Sequence, residues 1–273
     1  MLARAKLNLA LHVTGQRADG YHLLDSLVAF ADVGDEITTG PGEDDRLTVD
    51  GPFAEGAPPL AANTLGHALA LVRGWGEATA PVGIHLTKNL PIASGIGGGS
   101  ADAAGLITLL TKGRVLSGQE MADCLALGAD VPMCLAATPA IIGGIGEDNR
   151  PVSLPSAHVV LANPGIGVST PAVFKALDQK TNPPMPDWPE PQSFGDLISY
   201  LRSTRNDLMA PAINIAPAVE ACLDALAGAP FARMSGSGAT CFALFDTTYD
   251  AERLATRVQA AHPDWWVRTG ALT

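Results

Sequence analysis

Residues 91–104 read Pro91-Ile92-Ala93-Ser94-Gly95-Ile96-Gly97-Gly98-Gly99-Ser100-Ala101-Asp102-Ala103-Ala104, and no other stretch of the chain restricts the fold as strongly. Just upstream, Val82-Gly83-Ile84-His85-Leu86-Thr87 alternates apolar and polar side chains, the period of a strand. Downstream, Ala103 to Leu110 has the composition of an apolar helix. Between them, four glycines fall in the five positions 95–99. Glycine has no Cβ, so such a segment can take positive φ angles and bring main chain close to a ligand. The first amides of the following helix have no acceptor within it. A glycine-rich turn that opens a helix is therefore an anion cradle, and phosphate is the usual anion.

Several phosphate loops can be set aside on spacing. A P-loop needs G-x-x-x-x-G-K-S/T, whereas here Ser100 follows Gly99 with no lysine between. A dinucleotide fingerprint, G-x-G-x-x-G, would use Gly95 and Gly97 but meets Ser100 at its last position. No strand ending in an acid follows at the expected distance. The Gly-rich, H-R-D and D-F-G set of protein kinases is absent. A flexible linker is the plain alternative. The tight flanking elements and the apolar Ile92 and Ile96 speak against it.

Two further segments complete a pattern with this loop: Ala5-Lys6-Leu7-Asn8-Leu9 near the start, and Met234-Ser235-Gly236-Ser237-Gly238-Ala239-Thr240 near the end. In order and spacing, these segments and Pro91-x-x-x-Gly95-Ile96-Gly97 resemble the three motifs of the GHMP kinases, the galactose, homoserine, mevalonate and phosphomevalonate kinase superfamily. The resemblance spans essentially the whole chain. Arg17-Ala-Asp-Gly20-Tyr21-His22, Gly128-Ala129-Asp130-Val131-Pro132 and Pro164 through Phe174 narrow it to a branch whose alcohol substrate carries cytidine diphosphate.

The resemblance implies an α+β, two-domain GHMP kinase fold. Residues 1–148 would form an N-terminal ATP-binding, ribosomal-protein-like domain and residues 149–273 a C-terminal ferredoxin-like α/β sandwich, with the active site in the cleft between them. From element order alone, the chain is α/β or α+β with mixed sheets. The polar run Glu147-Asp148-Asn149-Arg150-Pro151 reads as the boundary.

By the same resemblance the activity is phosphoryl transfer from ATP to an alcohol. Pro91, Ile92, Ala93, Ser94, Gly95, Ile96, Gly97, Gly98, Gly99, Ser100 and Ala101 would hold ATP. Lys6 and Asp130 would be the catalytic pair, Asp130 as base. Asn8, Tyr21, His22, Asp130, Thr170, Phe174, Gly236 and Ser237 would hold the substrate, with cytosine between Tyr21 and Phe174. An aromatic face stacking on a base while polar neighbours read its edge is a recurrent solution for such ligands. Magnesium is expected as the ion that bridges phosphate oxygens. Ser100 matches the loop serine that the superfamily commonly offers it, while the partner acid is not placed. Ala93-Ser94 stands where a glycine pair is frequent, and Ala101 where a second serine is frequent. Two alternatives stand beside this reading: another small-alcohol kinase of the superfamily, of the homoserine or mevalonate type, and a non-catalytic nucleotide-binding protein on the same scaffold.

Charge and cysteine usage bound the partners. The formal net charge of −11 disfavours non-specific nucleic-acid binding. A polyanionic substrate must then meet a local positive site or a bound cation. Cys124, Cys134, Cys222 and Cys241 form no C-x-x-C pair, which suggests buried thiols in a reducing cytoplasm rather than a disulfide framework. No apolar run reaches the roughly 18–20 residues of a membrane span, and the N-terminal apolar run is broken by Asn8 and His12, unlike a signal peptide. Monomer and homodimer stay open.

Along the chain, Leu7, Leu9, Leu11 and Val13 form the core-facing row of an opening strand, with Lys6, Asn8, Ala10 and His12 on its other surface. Asn63 or Thr64 caps a helix to about Arg73, and Ser117-Gly-Gln-Glu120 fits a capping box. Residues 51–62 read as a loop. Asp130 falls just past a helix end, where a carboxylate is electrostatically disfavoured. Ser169-Thr170-Pro171 starts another helix. Five prolines between positions 183 and 191 make residues 178–192 a mobile surface loop. Helices are expected at about 194–203, 207–214 and 217–227, and a final helix through Ala261 precedes an edge strand at Trp265–Thr269.

Overall fold

A computed structural model describes residues 1–273. The first elements are strands β1 (Leu2–Gln16), β2 (His22–Pro41) and β3 (Arg46–Asp50), helix α1 (Thr64–Gly74) and strand β4 (Val82–Thr87). Helices α2 (Gly98–Leu110), α3 (Gly118–Leu127) and α4 (Val131–Ala136) follow, then strands β5 (Ala140–Gly144), β6 (Asp148–Pro151) and β7 (His158–Asn163). Helices α5 (Thr170–Lys175), α6 (Phe194–Arg202), α7 (Met209–Ile215) and α8 (Ala218–Ala225) lead to strands β8 (Phe231–Met234) and β9 (Cys241–Phe245), helix α9 (Thr248–Ala261) and strand β10 (Trp266–Ala271). The chain forms two compact units. One comprises Met1–Ala5, Gly34–Ile92 and Gly97–Ala137; the other comprises Lys6–Val33, Ala93–Ile96 and Thr138–Thr273.

In the first unit, β4 pairs parallel with β3 and antiparallel with the second half of β2. Parallel neighbours require a crossover, and α1 supplies it. Its apolar face joins that of α2 in a core built on Ile37, Leu65, Leu69, Ile84, Leu86, Leu106 and Ile107. The helix starts follow their sequence signals. The Asn63 side chain accepts from Leu65 N at 3.0 Å, and Ser117 and Glu120 close a reciprocal capping box. The expected loop at 51–62 holds two single turns of 3-10 helix, at 54–56 and 60–62.

The second unit contains a four-stranded antiparallel sheet in the order β10-β7-β9-β8. With helices between β7 and β8 and α9 between β9 and β10, this is the β-α-β-β-α-β ferredoxin-like arrangement. Its core gathers Val160, Ala162, Val219, Met234, Phe245 and Leu254. The first half of β2 pairs with β5, and β5 with β6. The polar run 147–151 is thus the turn and second arm of a hairpin, with Ile141 opposite Arg150.

Strand β1 departs from the one-sided reading. Leu7, Leu9 and Val13 are fully buried as expected, but the opposite row is no open surface: Lys6 is 7%, Asn8 5% and His12 1% exposed. A two-sided buried strand that carries polar groups must supply each with a partner.

The proline-rich segment is fastened beside this strand. Asn182 donates from N and Nδ2 to Val13 O, Met185 N donates to Asp25 Oδ2 at 2.7 Å, and Tyr200 Oη donates to Pro186 O. Expected to be a mobile loop, residues 178–192 form a strap fastened at intervals. Prolines block regular structure but do not block long-range hydrogen bonds made by the residues among them.

His12 is a further fastening. Its Nε2 accepts from Arg205 N at 3.0 Å, so Nδ1 carries the proton and faces Pro183 O at 3.2 Å. Burial, and then Arg205, lower its pKa below the ordinary value. The unfolded histidine titrates near 6.5. Above that pH both states are neutral and the His12 contribution is intact. As pH falls below about 6.5, the unfolded chain takes a proton that the folded chain refuses, so stability falls toward the lowered folded value. The urea midpoint is therefore expected to drop between pH 7 and pH 5.5, and the drop is expected to be smaller in His12→Gln. An identical slope in both proteins would rule out His12 as a source.

Candidate active site

The glycine-rich loop has an alternating backbone. Ala93, Gly95 and Gly97 have φ of 50°, 75° and 67°, while the intervening Ser94 and Ile96 stay outside the left-handed region. Alternation of this kind turns successive amides into a concave nest for an anion. Four consecutive carbonyls are fixed within the second unit. Ala93 O accepts from Val168 N, Ser94 O from Thr240 N at 3.1 Å, Gly95 O from Ser235 Oγ at 3.0 Å, and Ile96 O from Lys6 N at 3.0 Å. In a planar trans peptide, C=O and the next N–H point in opposite directions. Fixing these carbonyls aims the amides that follow them away from the anchors. Ala93, where the sequence pattern more often has glycine, sits in the left-handed region at a cost of roughly 1–2 kcal/mol.

The rest of the loop opens α2 in the first unit. Gly97 is the N-cap, and Ala101 N is the first amide with a backbone acceptor, Gly97 O at 2.9 Å. The amides of Gly98, Gly99 and Ser100 belong to the unsatisfied helix start. Ala101 plays another part: its side chain packs in the core and its amide is committed to the turn.

Asp130 sits differently from the sequence expectation. It is the N-cap of α4, with Pro132 in the first turn, and Cys134 N donates to Asp130 O at 3.0 Å. A carboxylate at a helix start is electrostatically favoured, which removes the objection raised by the end of α3. The preceding turn packs against the loop. A Cβ on Gly128 would stand 3.7 Å from Ser100 Oγ, so Ser100 and the Asp130 turn lie side by side in this unit.

Beneath the loop lies a charge cluster that the sequence reading missed. Lys88 Nζ donates to Asp35 and, at 2.8 Å, to Asp102 of α2. Asp35 also accepts from Asn89 N at 2.6 Å and Leu90 N at 2.8 Å, fixing the two residues before Pro91. Burial alone would lower the Lys88 pKa, but Asp102 and Asp35 outweigh it and raise it. Burial, with Asp35 adding, pushes the Asp102 carboxyl up against the pull of Lys88. The chain has no group of three or more His, Cys, Asp or Glu that could hold a metal, so no all-protein cage exists.

In the second unit, Asn8 N donates to Ser235 Oγ at 3.1 Å and Asn8 Nδ2 to Ser26 Oγ at 2.8 Å, while Asn8 Oδ1 is buried without a partner. A Cβ on Gly236 would approach that oxygen to 3.4 Å. Thr170 Oγ1 and Ser237 Oγ are 2.7 Å apart. Asn8 and Thr170 therefore flank the 235–239 loop, at Gly236 and Ser237 respectively.

Comparison with known proteins decides the family. The GHMP kinases N terminal domain model matches residues 63–138 and the GHMP kinases C terminal model residues 190–264. A 4-diphosphocytidyl-2-C-methyl-D-erythritol kinase of Roseobacter denitrificans is 49% identical over 98% of this chain and 91% of its own. That of Cereibacter sphaeroides is 50% identical over 97% of this chain and 96% of its own. A crystal structure of 4-(cytidine 5'-diphospho)-2C-methyl-D-erythritol kinase superposes with a TM-score of 0.79 at 30% identity, covering 100% of this chain and 98% of that one. This chain belongs to the 4-diphosphocytidyl-2-C-methyl-D-erythritol kinase family of GHMP kinases. Homoserine kinase from Cytophaga hutchinsonii, at 16% identity and a TM-score of 0.64, shares the fold alone.

Within this kinase family member the aromatic residues are arranged otherwise than as a simple clamp. His22 stacks on Phe174 with centroids 4.7 Å apart and planes at 25°. Tyr21 is 62% exposed, so its ring lies outside that stack. His22 Nε2 is buried without a partner, and burial, then Lys180, lower its pKa. A neutral imidazole with one unmet nitrogen beside an aromatic face can both stack on a base and meet its polar edge.

Proposed function

We propose that the chain transfers the γ-phosphoryl group of Mg-ATP to the 2-hydroxyl of 4-diphosphocytidyl-2-C-methyl-D-erythritol, giving the 2-phosphate and ADP in non-mevalonate isoprenoid and terpenoid precursor synthesis. The observation that carries this reading is the 93–101 loop. Its carbonyls are tied back by four donors, and its amides lead into an open helix start. Near-half identity over the full chain to kinases of that name supports the same acceptor.

Phosphoryl transfer asks chiefly for positioning and charge stabilisation, because the transition state is loose. In this reading residues 91–101 hold the polyphosphate. Asp130 orients the acceptor hydroxyl and takes its proton late, as the new P–O bond forms. Lys6 offsets the negative charge that builds on the transferring group. Asn8, Gly236, Ser237 and Thr170 fix the acceptor, and Tyr21, His22 and Phe174 hold the cytosine. The Ser100 hydroxyl would offer magnesium a protein ligand, and the ion would supply charge neutralisation on the phosphate oxygens. A cytoplasmic enzyme fits four free cysteines, three of them buried. The division into an N-terminal ATP-binding domain, 1–148, and a C-terminal domain, 149–273, belongs to this reading.

A coupled ADP-release assay tests it, offering Mg-ATP with the cytidine-bearing alcohol, homoserine, mevalonate or phosphomevalonate. Turnover is expected with the first alone. ADP release with one of the others would reassign the acceptor. Tight ATP binding with no turnover on any alcohol would favour a non-catalytic nucleotide-binding protein.

A further inference from the structure

The geometry points to Asn206 as a positioning residue for the acceptor loop, an inference that rests on the reading of Gly236 and Ser237 as acceptor contacts. Asn206 lies in the short link between α6 and α7 and is 5% exposed. Its Nδ2 donates to Met234 O at 2.8 Å and to Gly236 O at 2.9 Å. Its Oδ1 accepts from Leu208 N at 3.0 Å, which fixes the amide orientation because oxygen cannot donate to those carbonyls. One side chain thus grips the loop at its entrance and at its tip, two residues apart.

The same residue is locked to β1. Leu11 N donates to Arg205 O at 2.9 Å and Asp207 N to Leu11 O at 2.8 Å, bracketing Asn206 against the strand that carries Asn8. Arg233, at the end of β8, adds a second fastening by donating to Leu9 O at 2.7 Å. Asn206 therefore sets the distance between β1 and the 235–239 loop. Across that distance Asn8 Oδ1 faces Gly236, and Ser235 Oγ bridges Asn8 N and Gly95 O. Every hydrogen-bonding atom of the Asn206 amide group is used inside the protein, so it acts through the loop and touches no ligand. A displacement of about 1 Å at a reacting centre can cost on the order of 10²-fold in rate.

Asn206→Ala removes both donors, and Asn206→Asp keeps size and the Leu208 bond but turns an acceptor toward two carbonyls. Both are expected to raise KM for the alcohol substrate roughly 10- to 100-fold, with a smaller rise in KM for ATP. Buried against carbonyls, the introduced carboxyl titrates high, and its protonated form restores one donated hydrogen bond. The activity of Asn206→Asp relative to the native protein should therefore climb as pH falls from 8 to 6, a readout that a merely structural role does not move. Ser237→Ala separates the two layers of the argument. If it raises acceptor KM while folded Asn206→Ala does not, the positioning role is overturned and the loop assignment stands. If neither variant changes acceptor KM, both are overturned. Should Asn206→Ala melt below assay temperature, a flat pH ratio in Asn206→Asp decides against the proposal.

Discussion

Asp130→Asn is expected to lower kcat by a factor on the order of 10²–10⁴, the usual worth of a positioned general base, while leaving nucleotide affinity within about twofold of native. The substitution exchanges a carboxylate for an amide of the same shape. The surrounding turn is held by main chain, since Val131 N donates to Gly128 O at 2.9 Å and Cys134 N to Asp130 O at 3.0 Å. Neither bond uses the Asp130 carboxylate, and that side chain does not cap α4. The local fold should therefore survive, and Gly128 should stay against Ser100. Titration calorimetry with a non-hydrolysable ATP analogue checks the binding half, and the coupled assay checks turnover. Turnover within about threefold of native would remove Asp130 from the chemistry. Equal losses of turnover and nucleotide affinity would assign it to phosphate or metal binding instead.

Much of the backbone around the candidate site was legible because its signals are local. The glycines at 95 and 97 announce left-handed backbone, and Ser117 and Asn63 each cap the helix that their spacing predicts. The features that escaped are those whose meaning lies in partners far along the chain. Asp102 stands among Ala101, Ala103 and Ala104, and an acid in so apolar a helix start was the one available hint of the buried Lys88 cluster; Asp35 lies 53 residues from Lys88. The alternation in β1 was read as core against surface because a sequence does not say how many faces of a strand are covered. Asn8 and His12 are polar yet buried because other parts of the chain meet their side chains, at Ser26 and Arg205. The strap at 178–192 misled for the same reason. Its composition forbids helix and strand, but its fastenings are to Asp25, Val13 and Asp207, which no local window contains.

Gly95→Ala is expected to be the most damaging single methyl that the loop can receive. Gly95 has φ of 75°, a region that costs an L-residue roughly 1–2 kcal/mol. The methyl would also stand 2.5 Å from Ser235 O, 2.7 Å from Gly238 O and 2.8 Å from Gly238 N. All three are main-chain atoms, so no rotamer change relieves the contact, and overpacking of this kind costs about 1–3 kcal/mol. The cheapest escape moves the 93–96 segment away from the 235–239 loop. That movement breaks the bonds from Ser235 Oγ to Gly95 O and from Thr240 N to Ser94 O, which hold the amides in their alternating array. Affinity for ATP is therefore expected to fall by roughly 10²-fold, the scale of a misplaced binding group, beyond what the loss of folding stability accounts for. Gly74→Ala is the matched control: it lies at the end of α1, its φ is not positive and no atom stands within 4 Å of the added methyl. That variant should keep native affinity and gain slightly in stability. Comparing the ATP-induced rise in melting temperature in the two variants separates a damaged cradle from a damaged fold. A native-sized rise in Gly95→Ala would mean that the backbone of residues 93–97 is not what grips the nucleotide.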